Sequence, residues 1–578
     1  MLFRCVIVCS VLALGACAGT RNTEDRSASS AAPVAASGLE TAAPTRPIPV
    51  DTLYDLLVAE VAQNRDNFPL ALENYQRQAF KTRDLQVTIR ATRLAQYLGA
   101  LDDARKLNEL WIELAPDDIE GLFSYSAILA RQGDMARAFE YMAQVQKLGG
   151  NTAFTSIAAE SLRHSNAERA ELMKAIDRSL LQRPDDADLL LSKSIILQKT
   201  DKAAALETVR KARSLEPDNT QALIMEATLL LQMERSEEAL SLLKQGVAEN
   251  PRHRRLRLLY ARLLTQTDLM GAKAEFEALL EMAPGDPDLL YSLGIINREI
   301  KDYDEATRLF EQLIDSGARQ SEAHYYLGIM ALEQHQPEEA ISHLREVQPG
   351  QEYLPAMTQV AKYLLQQKQP EQLAAFFADQ RQRHPQLAVQ LYILESDILS
   401  RARKPAAALA LLDQAIADHP DNSDLRYARS LLHEKQGDLA GAEADLRSIL
   451  KSDPDNATAL NALGYVLTNN STRYIEAQSL IRRALNISPQ EPAILDSMGW
   501  VKYRMGDTEQ ALKYLQQAYE GHPDPEIAAH LGEVLWQLGR RDEALGIWRE
   551  GLQRDPRHEV LQRTIERLGA TDQLGINH

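Results

Sequence analysis

The side chain best placed for chemistry near the start of the chain is the thiol of Cys17. It follows the single charge of Arg4, an uncharged apolar run over residues 5–14 and two small residues. This is the layout of a cleavable export signal, which is too short to span a bilayer. The other two of the three cysteines lie in residues 1–16 and would leave with the signal. With one thiol remaining, we expect neither a disulfide nor a thiolate metal site in the folded part.

The segment Leu14-Gly15-Ala16-Cys17 resembles the lipobox of bacterial lipoproteins. The resemblance implies that Cys17 becomes the first mature residue and is acylated, and each buried methylene then contributes about 0.8 kcal/mol of membrane anchoring. Aspartate after the cysteine tends to retain such lipoproteins in the inner membrane, whereas this chain has Ala18. We therefore expect lipidation at Cys17, an outer-membrane location facing the periplasm, and membrane contact only through the lipid. The alternative is an ordinary secretion signal with an incidental cysteine.

The rest of the sequence carries no recognisable catalytic motif. No phosphate-binding loop, dinucleotide fingerprint, zinc-protease helix, nucleophile elbow or calcium loop occurs. His384, His419 and His522 each precede a proline, which is typical of a helix end. The acidic pairs, such as Glu338-Glu339, are expected at helix starts, where carboxylates are favoured. The sequence thus predicts no enzyme, no cofactor, no metal and no small-molecule substrate.

Charge argues against nucleic acid as a partner. The formal net charge is -18 and the pI is near 5.3. The only dense basic run is residues 252–257, RHRRLR, which follows Pro251 and is expected to open a helix. Two interpretations stay open for this run, a solvated helix face or a docking patch for an acidic partner segment.

Between Cys17 and the folded part lies a segment poor in large apolar residues. Residues 18–50 are rich in Ala, Ser, Thr and Pro, a composition that cannot bury enough surface to offset ordering entropy. We expect residues 17–50 to form a lipidated, disordered tether with a root-mean-square span of roughly 30 Å.

A period of about 34 residues runs through the remaining chain. In residues 495–524 a large-then-small pair, Met498-Gly499, is followed by Ala511, Leu515, Ala518 and Pro523, and the next unit repeats these offsets. Prolines that close a unit recur mostly 33 to 35 residues apart. The pattern resembles that of tetratricopeptide-repeat proteins over nearly the whole mature chain.

The resemblance implies an all-α, right-handed superhelical solenoid of about 15 helix pairs. We expect it to span residues 51–558, with the weakest units at the start, near residue 153 and near residue 354. Residues 559–578 are expected to form a C-terminal capping helix and tail. Each unit buries an apolar face only by stacking on its neighbours.

In tetratricopeptide proteins the concave groove is lined by positions two, five, nine, twelve and thirteen of each first helix. Carried onto this sequence, the register gives an aromatic and aliphatic lining suited to an apolar peptide or a partner helix. Each of these residues could instead serve packing between repeats. Position nine lacks the asparagine of the family's carboxylate clamp, so a free acidic C-terminus is not an expected ligand. The predicted groove residues are Tyr291, Ile295, Tyr325, Ile329, Tyr427, Tyr465, Trp500 and Tyr503.

These features favour a non-catalytic, lipid-anchored scaffold for protein–protein interaction. In architecture the chain resembles a tetratricopeptide outer-membrane lipoprotein of Pseudomonas that partners a periplasmic carboxyl-terminal processing protease. The resemblance implies an adaptor that activates this serine protease and brings it to substrates such as peptidoglycan cross-link hydrolases. The alternative is an assembly factor for a pilus secretin, a barrel-insertion complex or a polysaccharide exporter.

Overall fold

In the computed structural model, residues 49–575 are described, so the signal, Cys17 and most of the tether lie outside the described residues. Between residues 49 and 575 the chain is all-α, with 32 α-helices and one short 3-10 helix, Pro385–Leu387, and without a strand. The helices are α1 Val50–Asn64, α2 Phe68–Thr82, α3 Leu85–Tyr97, α4 Leu101–Leu114, α5 Ile119–Arg131, α6 Met135–Lys147, α7 Phe154–Ser161, α8 Asn166–Gln182, α9 Ala187–Leu197, α10 Lys202–Leu215, α11 Thr220–Gln232, α12 Ser236–Glu249, α13 Arg254–Leu264, α14 Leu269–Met282, α15 Pro287–Glu299, α16 Tyr303–Asp315, α17 Gln320–Glu333, α18 Pro337–Glu346, α19 Tyr353–Gln366, α20 Pro370–Arg383, α21 Ala388–Arg401, α22 Pro405–Asp418, α23 Ser423–Lys435, α24 Leu439–Ser452, α25 Ala457–Asn470, α26 Tyr474–Ile487, α27 Pro492–Arg504, α28 Thr508–Gly521, α29 Pro525–Gln537, α30 Arg541–Arg554, α31 Glu559–Arg567 and α32 Thr571–Leu574.

Helices α1 to α30 form 15 consecutive pairs, each an odd-numbered first helix and the even-numbered second helix that packs on it. The short turns within a pair make its helices antiparallel neighbours. The predicted fold class and the predicted number of repeats are both confirmed. The weak unit near residue 153 has a first helix of only 8 residues, α7, whereas the unit near residue 354 has two full helices, α19 and α20.

The pairs fall into two compact units, one ending at Glu216 and the other starting at Pro217. The first unit contains α1–α10, with a core that includes the fully buried Ala59 and Leu107. In this unit one face of α1 is exposed and apolar; its residues are Val50, Leu53, Tyr54, Leu57 and Val61.

The second unit contains α11–α32 and carries the predicted groove residues. Its last pair is covered by α31, whose Leu561 and Ile565 are fully buried. Helix α31 lies in the segment 559–578, for which a capping helix and tail are expected, and its buried face packs on the last repeat.

Proline stands in the first turn of three first helices of this unit, α15, α27 and α29, and each follows an acidic N-cap residue. At α15, the Asp286 side chain accepts hydrogen bonds from the backbone N–H groups of Asp288 and Leu289, and Pro287 occupies the first turn. Turn glycines such as Gly506, at φ +88°, reverse the chain between the two helices of a pair.

Small residues hold the two helices of a pair close together. A Cβ placed on Gly499 would lie 2.6 Å from Leu515 Cγ and 3.0 Å from the Ala511 carbonyl oxygen. At Gly464 it would lie 2.4 Å from Ile481 Cγ1. The large-then-small pairs that define the repeat are thus the points of closest helix approach.

Candidate functional site

The predicted groove residues all lie on first helices. Tyr291 and Ile295 are on α15, Tyr325 and Ile329 on α17, Tyr427 on α23, Tyr465 on α25, and Trp500 and Tyr503 on α27. Ile295 and Ile329 are half-buried, one helical turn after the tyrosine of the same helix. The structure brings the aromatic members together in two clusters and leaves Tyr427 apart from both.

The first group, the Tyr291 cluster, comprises Tyr291, Tyr325, Tyr326 and Phe310. The Tyr326 ring stacks on Phe310 at 5.6 Å between centroids. It meets Tyr291 at 5.8 Å and Tyr325 at 5.3 Å, both in edge-to-face geometry. Because Tyr326 lies at the centre of these contacts, it joins the predicted tyrosines of neighbouring repeats.

Two arginines cover this cluster. The Arg319 guanidinium lies 4.8 Å from the Tyr291 ring centroid and 2.6 Å from the Asp288 carboxylate. Arg298 lies 5.8 Å from the Tyr326 centroid and pairs with Glu333. Both arginines therefore combine a cation–π contact with an ion pair.

Tyr427 is half-buried against the core formed by the helices that follow it. Burial raises the pKa of its hydroxyl, and the nearby Glu434 carboxylate raises it further. Burial also raises the pKa of Glu434, with a smaller contribution from Glu526. The ring and the carboxylate thus share a partly desolvated environment.

The second group, the Trp500 cluster, comprises Trp500, Tyr503, His530 and Tyr465. The Trp500 ring stacks on His530 at 4.1 Å and on Tyr503 at 5.3 Å. Its indole N–H donates a hydrogen bond to Asn469 at 2.7 Å. Only 8% of Trp500 is exposed, so packing between repeats accounts for most of its surface.

Carboxylates enclose the Trp500 cluster. His530 Nδ1 lies 2.9 Å from Asp496, and the Tyr465 hydroxyl donates to Glu526. The Tyr465–Glu526 contact joins α25 to α29 and skips the repeat between them. The first helices α25 and α29, which are two repeats apart, are therefore in direct contact.

The charge of His530 follows from these carboxylates. Burial on its own lowers the pKa of His530, but the carboxylates of Asp496, Glu526 and Glu533 outweigh that effect and hold the pKa above its ordinary value. Burial, helped by Glu533, raises the pKa of Tyr503 to about 12. The cluster is consequently a buried network of one imidazole and several acids.

Sequence reasoning missed the acids of this surface, although the register that located the tyrosines also locates them. In the units that start at 287, 321, 423, 457, 492 and 525, the same groove positions hold nine carboxylates and three cations. The carboxylates are Asp288, Glu299, Glu322, Glu333, Asp424, Glu434, Asp496, Glu526 and Glu533, and the cations are Arg298, Lys435 and Arg504. Tyr326, at position six, lies outside the groove positions and could be found only from the structure.

The histidines and the basic run noted in the sequence lie at helix ends and in ion pairs within the chain. His384, His419 and His522 cap the C-terminal ends of α20, α22 and α28. In the basic run, Arg257 pairs with Glu275 at 2.7 Å and Arg254 pairs with Asp286 at 3.3 Å.

Residues 49–575 contain neither a grouped set of three metal ligands nor a membrane-spanning helix. From residue 49 to residue 575, no three His, Cys, Asp or Glu side chains are grouped so as to hold a metal ion. In the same range, no helix is both long and apolar enough to cross a membrane.

Tandem antiparallel helix pairs with small residues at the closest approach define an α-helical repeat protein of the kind that binds other proteins. Models of the tetratricopeptide repeat match residues 197–263, 262–307, 298–355, 393–457, 455–524 and 497–559. A TPR repeat-containing protein of Pseudomonas aeruginosa is 39% identical over 519 residues, which cover 90% of this chain and 88% of the relative. The chain belongs to the tetratricopeptide-repeat family.

The chain is also similar, at lower sequence identity, to two eukaryotic proteins. Anaphase-promoting complex subunit 7 of Arabidopsis thaliana is 22% identical over 302 residues, which cover 52% of this chain and 53% of that protein. The crystal structure of yeast Tom70 is similar at 14% identity and a TM-score of 0.30, over 89% of this chain and 99% of Tom70. Tetratricopeptide repeats form interaction scaffolds for protein partners, and this chain has the repeats of such a scaffold.

Proposed function

We propose that the protein is a non-catalytic adaptor, anchored through Cys17 to the periplasmic face of the outer membrane. Its partner is a periplasmic carboxyl-terminal processing protease, which it activates and brings to substrates such as peptidoglycan cross-link hydrolases. The lipobox-like segment supports the anchor, and the tether leaves the repeats room to reach a soluble partner.

One observation carries the binding role. Tyr291, Tyr325 and Tyr427 occupy the same position, the fifth, of three first helices, and all three keep part of their surface exposed. Aromatic rings held by neighbouring side chains lose little conformational entropy when a partner binds, so they are efficient anchors. Tyr291 and Tyr325 lie on successive repeats, where equivalent positions can contact one extended segment, and Tyr427 lies three repeats further along the chain.

The length of the repeat array supports an adaptor over a simple binding module. Ten helix pairs of the second unit follow five in the first. A protease and its substrate held on separate repeats meet at a raised effective concentration, which accelerates proteolysis without a catalytic group on the scaffold.

The test is affinity capture with the mature chain, in which Cys17→Ser removes the lipid. We expect it to retain a processing protease from envelope extract and, when added to the purified protease, to accelerate cleavage of a wall hydrolase. Tyr325→Ala combined with Tyr427→Ala should weaken both effects. Tyr519→Ala, on the second helix α28, is the matched control and should leave them unchanged.

Recovery of secretin or barrel components, with no acceleration of any protease, would overturn the adaptor proposal and support the assembly-factor alternative. Equal loss in the Tyr519→Ala control would show that the groove tyrosines have no special role.

A further inference from the structure

Two histidines face each other across one helix pair of the second unit. His324 lies on α17 and His343 on α18, and their Nδ1 atoms are 3.1 Å apart. The ring centroids are 5.4 Å apart, and the ring planes are tilted by 40°. Both side chains are half-buried, and neither belongs to the predicted groove or to the two aromatic clusters. We call these two residues the histidine pair.

The histidine pair stands beside the closest approach of its two helices. Gly328 lies one helical turn after His324, and a Cβ placed on it would be 2.6 Å from Leu344 Cγ. Leu344 follows His343 directly and is fully buried. The two backbones that carry the imidazoles are therefore fixed close together by the packing of the pair, which holds the two nitrogens in place.

Two facing imidazoles suit either a hydrogen bond or a metal ion. Without an ion, the Nδ1–H of one ring donates a hydrogen bond to the Nδ1 lone pair of the other. When an ion binds, both Nδ1 atoms supply a lone pair, and the shared proton moves through solvent to Nε2 of its own ring, so both rings stay neutral. Nitrogens that bind tetrahedral Zn²⁺ are about 3.3–3.4 Å from each other, so the observed 3.1 Å separation needs only a small outward shift.

The electrostatic environment keeps both rings neutral at neutral pH. Burial lowers the pKa of His324, and the facing His343 lowers it further, against an opposite effect of Glu346. Burial also lowers the pKa of His343, although three nearby glutamates partly oppose this shift. A neutral imidazole has the lone pair that a metal ion requires. The three glutamates are Glu311, Glu339 and Glu346.

Oxygen ligands stand beside the histidine pair on α18. Glu339 precedes His343 by four residues and Glu346 follows it by three, so both share its face of the helix. Two imidazoles and one carboxylate, with water in the fourth position, form a ligand set that zinc takes in proteins. Because residues 49–575 hold no preassembled group of three ligands, the ion would exchange more readily here than in a structural zinc centre.

We propose that the histidine pair binds one divalent transition-metal ion, which the two imidazoles hold together with water or a carboxylate of α18. Imidazole ligands suit Zn²⁺, Cu²⁺ and Ni²⁺, whereas Mg²⁺ and Ca²⁺ prefer oxygen. The ion would join the two helices of the repeat that carries Tyr325 and so stiffen that side of the Tyr291 cluster. The two histidines are 19 residues apart, so no short motif reveals them, and the proposal departs from the expectation of no metal drawn from the sequence.

The test uses the full mature chain with Cys17→Ser and without a histidine tag. Zn²⁺ alone is the probe, and a colorimetric zinc chelator competes for it. We expect the parent protein to take one Zn²⁺ at this site, and His324→Gln or His343→Gln to weaken that binding by roughly tenfold or more. Zn²⁺ should also raise the melting temperature of the parent protein, whereas Mg²⁺ at the same concentration should not.

The matched control is His164→Gln combined with His433→Gln. It removes two half-buried histidines that lie far apart in the chain, each beside a carboxylate. We expect this control to bind Zn²⁺ as the parent protein does. Circular dichroism verifies that all variants are folded. In a crystal of the parent protein soaked with Zn²⁺, we expect an anomalous difference peak at the zinc edge between α17 and α18.

Two results would overturn the proposal. Unchanged zinc affinity in His324→Gln and His343→Gln would show that the histidine pair is only a hydrogen bond between helices. Equal loss in the control would show that zinc binds wherever a histidine stands beside an acid. If the glutamine variants do not fold, the soaked crystal decides, and no peak between α17 and α18 overturns the proposal.

Discussion

The sharpest test of the packing concerns one substitution, glycine to alanine, at two helical positions of the last repeats. Gly499 lies on α27 against the second helix of its own pair, whereas a Cβ on Gly546 of α30 would meet nothing within 4 Å. We expect Gly499→Ala to destabilise the protein and Gly546→Ala to stabilise it.

The magnitudes follow from the geometry. In a helix interior alanine is favoured over glycine by about 1 kcal/mol, and both sites gain this term. At Gly499 the new Cβ would lie 2.6 Å from Leu515 Cγ and 3.0 Å from the Ala511 carbonyl oxygen, where ordinary carbon contacts are about 3.5–4.0 Å. The backbone oxygen cannot retreat without moving the helix, and overpacking of this kind costs about 1–3 kcal/mol. The two variants should therefore differ by about 1–3 kcal/mol, since the propensity gain is common to both.

Tryptophan fluorescence during urea unfolding is the assay. Three of the four tryptophans, Trp500, Trp536 and Trp548, lie on α27–α30, so the signal reports the repeats that carry both substitutions. Equal stabilisation by the two substitutions would refute the idea that the glycine of the large-then-small pair sets the helix separation. Equal destabilisation would show that the open space at Gly546 does not exist.

Further predictions concern the same repeats. Trp548→Ala, at a fully buried ring, should cost about 3–5 kcal/mol of unfolding free energy, measured by urea denaturation followed by circular dichroism; a loss within experimental error would contradict the packing. His530 has a folded-state pKa above its ordinary value, so its stabilisation is complete below about pH 6.5 and is lost as pH rises through the folded-state pKa. The melting temperature of the parent protein should accordingly fall over that range more steeply than that of the double variant Asp496→Asn/His530→Gln, and parallel pH profiles would contradict the raised pKa. Removal of α31 by a stop codon at Glu559 would expose the apolar face of the last pair, and we expect aggregation or a lower melting temperature by differential scanning calorimetry.

Much of the fold could be predicted because the residue types that define a repeat recur in every unit. Proline ends a unit, and a glycine or alanine stands at each close approach, as at Gly464 and Ala511. These requirements are local, so a single sequence reveals them. The division between Glu216 and Pro217 has no such mark, because Pro217 closes a unit in the same way as the other prolines.

The candidate site was predicted only in part. The register placed Tyr465, Trp500 and Tyr503 on first helices, as found, but it could not show that His530 covers Trp500. That contact depends on the curvature between repeats, which the sequence pattern does not contain. The groove acids, by contrast, share the register of the tyrosines and could have been found by attention to charge as well as to rings.

The hydrogen bond from Tyr465 to Glu526 has a consequence for how the chain melts. In most repeat arrays each repeat is coupled only to its immediate neighbours, so unfolding can advance one repeat at a time from a free end. Here α25 is tied to α29 beyond the intervening repeat, and Arg567 of α31 is tied back to Glu533. Fraying of these last helices would therefore break polar contacts that are partly buried. Helices α25 to α31 should consequently unfold as one cooperative block, with uniform hydrogen-exchange protection instead of a gradient that declines toward the terminus.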